Sequence, residues 1–196
     1  MSILYIVATP IGNLEDITLR ALRILKEVDF ILCEDTRTTQ KLLARYEIKK
    51  SLLSYHQHSR LQKTDYIVSL LKEGKNLALV TDAGTPGISD PGGKLVETIT
   101  AELGDSVSIV PIPGPNAAVA ALSVCGFPAD EFLFLGFPPH KKGRQTFFKN
   151  LEEEAGKRTV VFYESPHRIL KSLQSLAENS PSAEIAVCRE LTKKFE

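Results

Sequence analysis

The sequence predicts an α/β fold made of two αβα domains with mostly parallel sheets. Short runs rich in aliphatic and β-branched residues alternate along the chain with longer stretches of helical periodicity. Several strand-like runs are apolar at nearly every position, which is typical of strands covered by helices on both faces. Repeated strand–helix–strand units of this kind indicate parallel pairing, because the intervening helix returns the chain to the same end of the sheet.

The first 126 residues contain five predicted strands. They are ILYIVA at 3–8, DFILC at 29–33, LLSY at 52–55, NLALVT at 76–81 and VSIVP at 107–111. Amphipathic helices are predicted between them. The first occupies 16–28 with Asp16 as its N-cap, and two later ones end at Gly74 and Gly104, since glycine commonly terminates a helix.

A second α/β series begins after CGFPADE, and we place the domain boundary between residues 126 and 127. Its predicted elements are strands at 132–136, 158–163 and 183–191, with helices at 144–155 and 166–178. A small-residue helix, NAAVAALSV, precedes the boundary. Because the series has only three strands and no closing helix, we expect the second domain to be incomplete.

Composition excludes several classes of protein. The formal net charge is zero, so blanket neutralisation of nucleic-acid phosphates is not expected, and a nucleic-acid partner must meet a local patch. No apolar run is long enough to cross a membrane, and the N-terminus reads as a strand rather than a signal peptide. Three scattered cysteines predict buried, reduced thiols and a cytoplasmic location. His56 and His58 lack further ligands nearby, so no metal is expected.

Glycine, proline and charged residues follow the predicted strands. These segments are TPIGN (9–13), EDTR (34–37), TDAGTPGISDPG (81–92), IPGPN (112–116), ESPHR (164–168) and RELTK (189–193). In an open parallel sheet such loops converge at the carboxyl ends of the strands, where ligands bind. Any one of them alone is an ordinary connector, but together they favour a small-molecule site that uses backbone groups. No G-x-G-x-x-G, P-loop or G-x-S-x-G motif is present.

Six motifs in this order resemble the ribosomal RNA small-subunit methyltransferase I family of tetrapyrrole-methylase-like enzymes. They are TPIGNLEDIT, EDTR, TDAGTPGISDPG, PIPGPNAA, FYESPHR and RELTK, and they extend over nearly the whole chain. The resemblance implies that S-adenosylmethionine (SAM) lies in a cleft between two domains of a homodimeric enzyme. It also implies 2′-O-methylation of a cytidine ribose in the decoding region of 16S rRNA, within the small ribosomal subunit.

The resemblance also implies which residues hold the cofactor. They are Thr9, Pro10, Ile11, Gly84, Thr85, Ile88, Gly114, Asn116, Ala117, Tyr163, Glu164 and Arg189. Asp82, which opens the glycine-rich loop, either contacts the cationic cofactor or bonds to the backbone that follows it.

Activation of a ribose hydroxyl calls for a base or a nearby charge. Asp35, Glu164 and Glu190 are candidate bases, and the hypothesis is that Asp35 with Arg37 shapes the acceptor side. The alternative is that Asp35 and Arg37 form an internal pair that holds their loop.

Candidate phosphate ligands are basic residues of the second series. The cluster HKKGR supplies Lys141, Lys142 and Arg144. Arg168 and Lys193 are added as residues that could hold an RNA phosphate or a developing alkoxide. A solvated loop and plain ion pairs are the alternatives. Two rival functions stay open: methylation of a tetrapyrrole, and a catalytically silent module that binds SAM or a nucleotide.

Overall fold

The structure, a computed structural model, describes residues 1–56 and 61–196. These residues form two compact units, one of 1–116 with 192–195 and one of 117–191 with 196. The predicted boundary after residue 126 follows helix α5 (Ala117–Cys125), which belongs to the second unit. His58, considered above as a metal ligand, lies outside the described residues.

The first unit contains a five-stranded parallel sheet. Its strands are β1 (Ser2–Val7), β2 (Phe30–Cys33), β3 (Ser51–Ser54), β4 (Leu77–Leu79) and β5 (Val107–Ile112). They lie in the order β3-β2-β4-β1-β5, and every neighbouring pair is parallel. The mostly parallel α/β fold predicted from the apolar strands is confirmed.

Helices cover both faces of this sheet. They are α1 (Leu19–Glu27), α2 (Thr36–Arg45), α3 (Leu61–Lys72) and α4 (Gly92–Leu103). Helices α1 and α2 pack in one hydrophobic cluster with Val7, whereas α3 and α4 pack in another with Leu4. Alternate residues of β1 thus face opposite layers, which is why the strands are apolar at consecutive positions.

Two local expectations for the first unit differ from the structure. Thr18, not Asp16, caps α1, because its hydroxyl accepts a hydrogen bond from the Ala21 N–H at 3.1 Å. Residues 14–16 form a short 3₁₀ turn instead. Helix α2 lies outside the predicted helices, because its first turns, TRTTQ, are polar and hide the apolar periodicity.

The second unit contains α5, β6 (Phe132–Phe134), α6 (Arg144–Ala155), β7 (Thr159–Val161) and α7 (Ile169–Asn179). Strands β6 and β7 are parallel, as expected for an α/β unit. The core of this unit is the packing of α6 and α7 through Phe148, Leu151 and Leu176.

The predicted strand at 183–191 is wrong. The segment has no regular structure, and its apolar residues Ile185 and Val187 are about half exposed. An alternating apolar pattern favours a strand but does not provide a partner for its backbone. In the part of the chain that the structure describes, no strand pairs with this segment. Cys188 in this segment is exposed, so the expected burial holds for Cys33 but not for all three thiols.

Candidate functional site

The site in the first unit is set by the connections of β1 and β4, which are neighbours in the sheet. The chain leaves β1 towards α1 on one face and leaves β4 towards α4 on the other. Where connections of adjacent strands diverge in this way, a crevice opens beyond their carboxyl ends. The segments that follow both strands are among those predicted from glycine and proline content.

An isolated antiparallel bridge joins these two segments across the crevice. The N–H of Thr9 donates to the Gly84 carbonyl at 2.9 Å, and the N–H of Gly84 donates to the Thr9 carbonyl at 3.0 Å. The buried Thr9 hydroxyl also donates to the Thr81 carbonyl at 3.0 Å. The bridge holds the start of the glycine-rich loop against the end of β1.

The segment after β5 meets the same point. The Thr85 hydroxyl donates to the Pro115 carbonyl at 3.1 Å. Gly84 has φ of +88°, and a Cβ there would lie 3.5 Å from Ile11 Cγ2 and 3.7 Å from the Pro115 oxygen. The three loops therefore converge around Gly84. The positive φ of this residue is a backbone conformation that favours glycine.

The rest of the glycine-rich loop is held by Asp90. One carboxylate oxygen, Oδ1, accepts from the N–H groups of Gly87 at 2.7 Å and Gly92 at 2.8 Å. Between them Ser89 has φ of +62°, and Ile88 is exposed by 44%. This carboxylate holds the turn that joins β4 to α4, in which the Ile88 side chain is exposed.

Asp35 and Arg37 form an internal pair at the carboxyl end of β2. Asp35 caps α2 by accepting the Arg37 N–H at 2.8 Å, and its two oxygens also accept from the Arg37 guanidinium at 2.7–3.2 Å. Side-chain and backbone hydrogen bonds from Arg37 lower the pKa of Asp35 to about 2. A carboxylate of such low basicity is a poor proton acceptor near neutral pH.

Asp82 joins this end of β2 to the glycine-rich loop. Its Oδ1 accepts the backbone N–H of Asp35 at 3.2 Å, 47 residues away. The expectation of a bond to the backbone directly after Asp82 is therefore replaced by a contact between two loops.

Glu34 is a carboxylate at the same edge that sequence reasoning missed. Burial raises its pKa, partly offset by the Thr81 hydroxyl, which donates to Oε1 at 3.1 Å. The signal was available, since Glu34 is the first residue of EDTR and directly follows β2.

Glu164 lies in the second unit, at the centre of a buried ion-pair network. Its side chain is 3% exposed, and Oε1 accepts from Arg168 at 2.6 Å and from the Ser165 N–H at 2.8 Å. Oε2 accepts from the Ser172 hydroxyl at 2.5 Å and pairs with Arg144 at 3.4 Å. Burial alone would raise the pKa of Glu164, but these hydrogen bonds and the two arginines outweigh it and lower the pKa.

Two of the five candidate phosphate ligands, Arg144 and Arg168, belong to this network. Arg144 and Arg168 are each 16% exposed and paired with Glu164, which favours ion pairing as their structural role. Lys141 and Lys142 are exposed beside them, and all four line one cleft of about 560 Å³. Lys193 is exposed and does not line this cleft.

The remaining predicted ligands of the second unit lie in different surroundings. The Tyr163 ring packs against Phe134 and Phe137, with ring centroids 5.0 and 5.3 Å apart, and burial raises its pKa. Ala117 begins α5, and Arg189 lies exposed in the irregular segment. In the first unit, Pro10 is buried, while Gly114 and Asn116 follow β5.

Residues 1–56 and 61–196 contain neither a metal-binding cluster nor a membrane-spanning helix. In that part of the chain, no three His, Cys, Asp or Glu side chains are grouped so that they could hold a metal ion. Nor do those residues contain a helix with the length and apolar character needed to span a membrane.

Comparison of the sequence with known families gives one match over almost the full chain. The model of the tetrapyrrole (corrin/porphyrin) methylases matches residues 3–196.

Curated relatives share about half of their aligned residues with this chain. A protein of Thermotoga maritima is 50% identical over 98% of the chain and 85% of its own length. Proteins of Bacillus subtilis and Escherichia coli O157:H7 are each 50% identical over 66% of their own length, covering 100% and 98% of the chain. All three are named ribosomal RNA small subunit methyltransferase I. The chain thus spans about two thirds of the length of the latter two.

Solved structures with the same fold are more distant in sequence. The methyltransferase CobJ is 21% identical with a TM-score of 0.67, and it is matched over 91% of this chain and 77% of its own. Uroporphyrin III C-methyl transferase from Thermus thermophilus is 18% identical with a TM-score of 0.61 and the same coverage. At such identities the likeness concerns the fold alone.

Proposed function

The chain belongs to the ribosomal RNA small subunit methyltransferase I family of the tetrapyrrole (corrin/porphyrin) methylases, and from this premise we propose that it is a SAM-dependent methyltransferase. The proposed acceptor is the 2′-hydroxyl of a cytidine ribose in the decoding region of 16S rRNA, presented by the small ribosomal subunit. The proposed setting is the cytoplasm, with the enzyme acting as a homodimer.

The crevice between β1 and β4 is the observation that supports this proposal most directly. Loops from three strands meet there around Gly84, and the bridge to Thr9 fixes their spacing. The backbone at Gly84 has no side chain to obstruct a ligand, and Ile11 and Pro115 lie at contact distance from the space that a Cβ would fill. An amino-acid portion bound through backbone groups fits such a surface.

The cofactor, when bound, supplies a methyl group on an electrophilic sulfonium. The contribution of the protein is to hold the acceptor oxygen in line with that methyl group, which can account for much of the acceleration. In this proposal, ionised Asp35 orients the acceptor side through its pair with Arg37 and does not abstract the proton, because its pKa is about 2. Glu164 supports the second unit through its two arginines.

An RNA acceptor is favoured over a tetrapyrrole by the names of the relatives. Proteins that are 50% identical to this chain are named as ribosomal RNA methyltransferases, whereas the tetrapyrrole enzymes resemble it at 18–21% identity. A silent binding module would bind the cofactor and transfer nothing.

The proposal is tested by incubating the protein with methyl-labelled SAM and small ribosomal subunits that lack their native methylation. We expect label on the 2′-oxygen of a decoding-region cytidine, located by primer extension at limiting nucleotide. A parallel reaction contains uroporphyrinogen III. Label in the tetrapyrrole alone would replace the RNA assignment, and binding without label in either acceptor would leave only the silent module.

Gly84→Val tests the position of the cofactor. Valine would place methyl groups into the crevice beside Ile11, so we expect calorimetry to detect no SAM binding while circular dichroism shows a folded sheet. Gly74→Val is the matched control. Gly74 has φ of +84°, close to the +88° of Gly84, but a Cβ there meets nothing within 4 Å. Both variants carry similar backbone strain. Normal SAM binding by Gly84→Val would exclude this crevice.

A further inference from the structure

A cleft in the second unit is lined by several positively charged side chains, and none of its residues belongs to the crevice around Gly84. Its volume is about 560 Å³, within the roughly 300–1,000 Å³ that small-ligand sites occupy. It lies where the loop before α6 faces the start of α7. Its walls are His140, Lys141, Lys142, Gly143, Arg144, Gln145, Thr146, His167, Arg168 and Lys171.

The walls contain three lysines and two arginines and no aspartate or glutamate. Both arginines pair with Glu164, which does not line the cleft, so the uncompensated charge comes from the lysines. Lys141, Lys142 and Lys171 are exposed, and none of them forms a salt bridge with another described residue. Lys171 and His167 come from the chain around the start of α7, 23 residues or more after HKKGR, so the sequence cluster alone did not reveal them. The chain has zero net charge, which makes this concentration of positive charge a local feature.

The two arginines of the cleft are each held by several contacts. Glu164 fixes Arg144 and Arg168, whose guanidinium groups also donate to the Pro139 and Pro138 carbonyls at 3.4 and 3.1 Å. The arginines are therefore held in place before any ligand arrives. Groups that are ordered in advance lose little conformational entropy on binding.

The start of α6 adds a second source of positive potential. Gly143 occupies the N-cap position with φ of +87°, so no side chain caps the first turn, and that turn contains no acidic residue. Gln145 and Thr146 of this first turn line the cleft. Uncapped N–H groups and the helix dipole both favour an anion here.

We propose that this cleft binds backbone phosphates of the RNA substrate, with the exposed Lys141, Lys142 and Lys171 as its main cations and with Arg144 and Arg168, held by Glu164, beside them. The inference rests on the proposed function, since it assumes an RNA acceptor. A patch of this kind gives a neutral protein affinity for RNA while most of its surface stays uncharged towards it. It contacts phosphates only, so it positions the substrate without reading its sequence.

The test compares two triple variants of equal charge change. Lys141→Ala/Lys142→Ala/Lys171→Ala removes the main cations of the cleft, whereas Lys26→Ala/Lys72→Ala/Lys149→Ala removes three exposed lysines that do not line the cleft. Affinity for a labelled single-stranded decoding-region RNA is measured by fluorescence anisotropy from low to high salt. Calorimetry with SAM and circular dichroism are run on each protein.

We expect the cleft variant to lower the slope of log affinity against log salt by about 2, at about 0.7 for each lost phosphate contact. Extrapolated from 1 M salt, where such contacts contribute little, this is roughly a 40-fold weaker binding at 0.15 M. SAM binding and the circular dichroism spectrum should not change. Replacement of the same three lysines by arginine should restore the slope, because the charges return.

Three outcomes overturn the inference. The first is an unchanged slope and affinity in the cleft variant, and the second is an equal loss in the control variant, which would mean that any surface lysine serves. The third is a failure of arginine to restore binding to a folded protein. Each leaves the proposed function intact if the wild type still methylates subunits. Absence of methylation by the wild type, with normal RNA binding, would instead remove the proposed function.

Discussion

Removal of the Glu164 carboxylate should destabilise the second unit more than any surface change in it. Glu164→Ala deletes a 3% exposed carboxylate that receives hydrogen bonds from Ser172, Ser165 and Arg168 and pairs with Arg144. The two arginines, each 16% exposed, would keep their charges and lose their shared partner. Ser172, which is fully buried, would lose an acceptor as well.

The expected size follows from this burial. Breaking a buried ion pair by removing one partner costs about 3–5 kcal/mol, because the other charge stays desolvated. For a chain of this length, 1 kcal/mol shifts the melting temperature by about 2–4 °C, so Glu164→Ala should melt roughly 6–20 °C below the wild type. The melting temperature of Glu164→Gln should lie between those of the wild type and Glu164→Ala, because the glutamine amide oxygen can still accept the Ser165 N–H.

Urea unfolding followed by circular dichroism and by tyrosine fluorescence measures this difference, and the two signals together reveal whether the second unit unfolds separately. Glu152→Ala on the exposed side of α6 is the control, expected within about 0.5 kcal/mol of the wild type. A loss below 1 kcal/mol in Glu164→Ala would refute the reasoning. It would mean that the arginines find other acceptors or reach water at little cost.

The pH dependence gives an independent check. The folded pKa of Glu164 lies below its ordinary value of 4.5, so the carboxylate stabilises the fold fully above that value. The contribution is lost as the pH falls from 4.5 through the folded pKa, because the unfolded chain takes up the proton first. The stability gap between wild type and Glu164→Gln should therefore be constant at neutral pH and narrow below pH 4.5. A gap that widened on acidification would contradict the lowered pKa.

Two further predictions concern the edge of the first sheet. Gly114→Ala would place a methyl group 2.9 Å from Ala8 Cβ, and we expect urea unfolding to show a loss of about 1–3 kcal/mol from overpacking. A Cβ at Gly156 would lie at ordinary contact distances, so Gly156→Ala should leave the free energy of unfolding nearly unchanged. Equal losses in the two variants would show that the close approach of Gly114 to Ala8 has no energetic effect. Asp35→Asn keeps an N-cap for α2 but removes the charge paired with Arg37, so methyl transfer should slow while calorimetry shows normal SAM binding. Unchanged turnover with bound SAM would remove Asp35 from the mechanism.

The sequence by itself determined the class of fold and the edge of the sheet where a site could lie. Continuous apolar strands such as ILYIVA require helices on both faces, and five of the predicted strands correspond to β1–β5. Parallel strands with glycine- and proline-rich ends place those ends together, so the meeting of Thr9, Gly84 and Pro115 follows from topology. Both inferences rest on patterns that recur along the chain, because the conformation that each segment prefers locally is also the one that buries its apolar residues.

The tertiary structure alone decided which strands pair with each other and which charged side chains form ion pairs. Residues 183–191 have the pattern of a strand, but no strand among residues 1–56 and 61–196 pairs with them, because backbone pairing depends on a partner that the local sequence does not specify. Glu164 as a candidate catalytic group and Arg168 as a candidate RNA ligand proved to be partners of each other, since carboxylate and guanidinium pair by proximity in space. Lys171 joined Lys141 across 30 residues for the same reason. Periodicity carries information about which face a residue occupies, whereas the identity of its neighbour on that face exists only once the chain has folded.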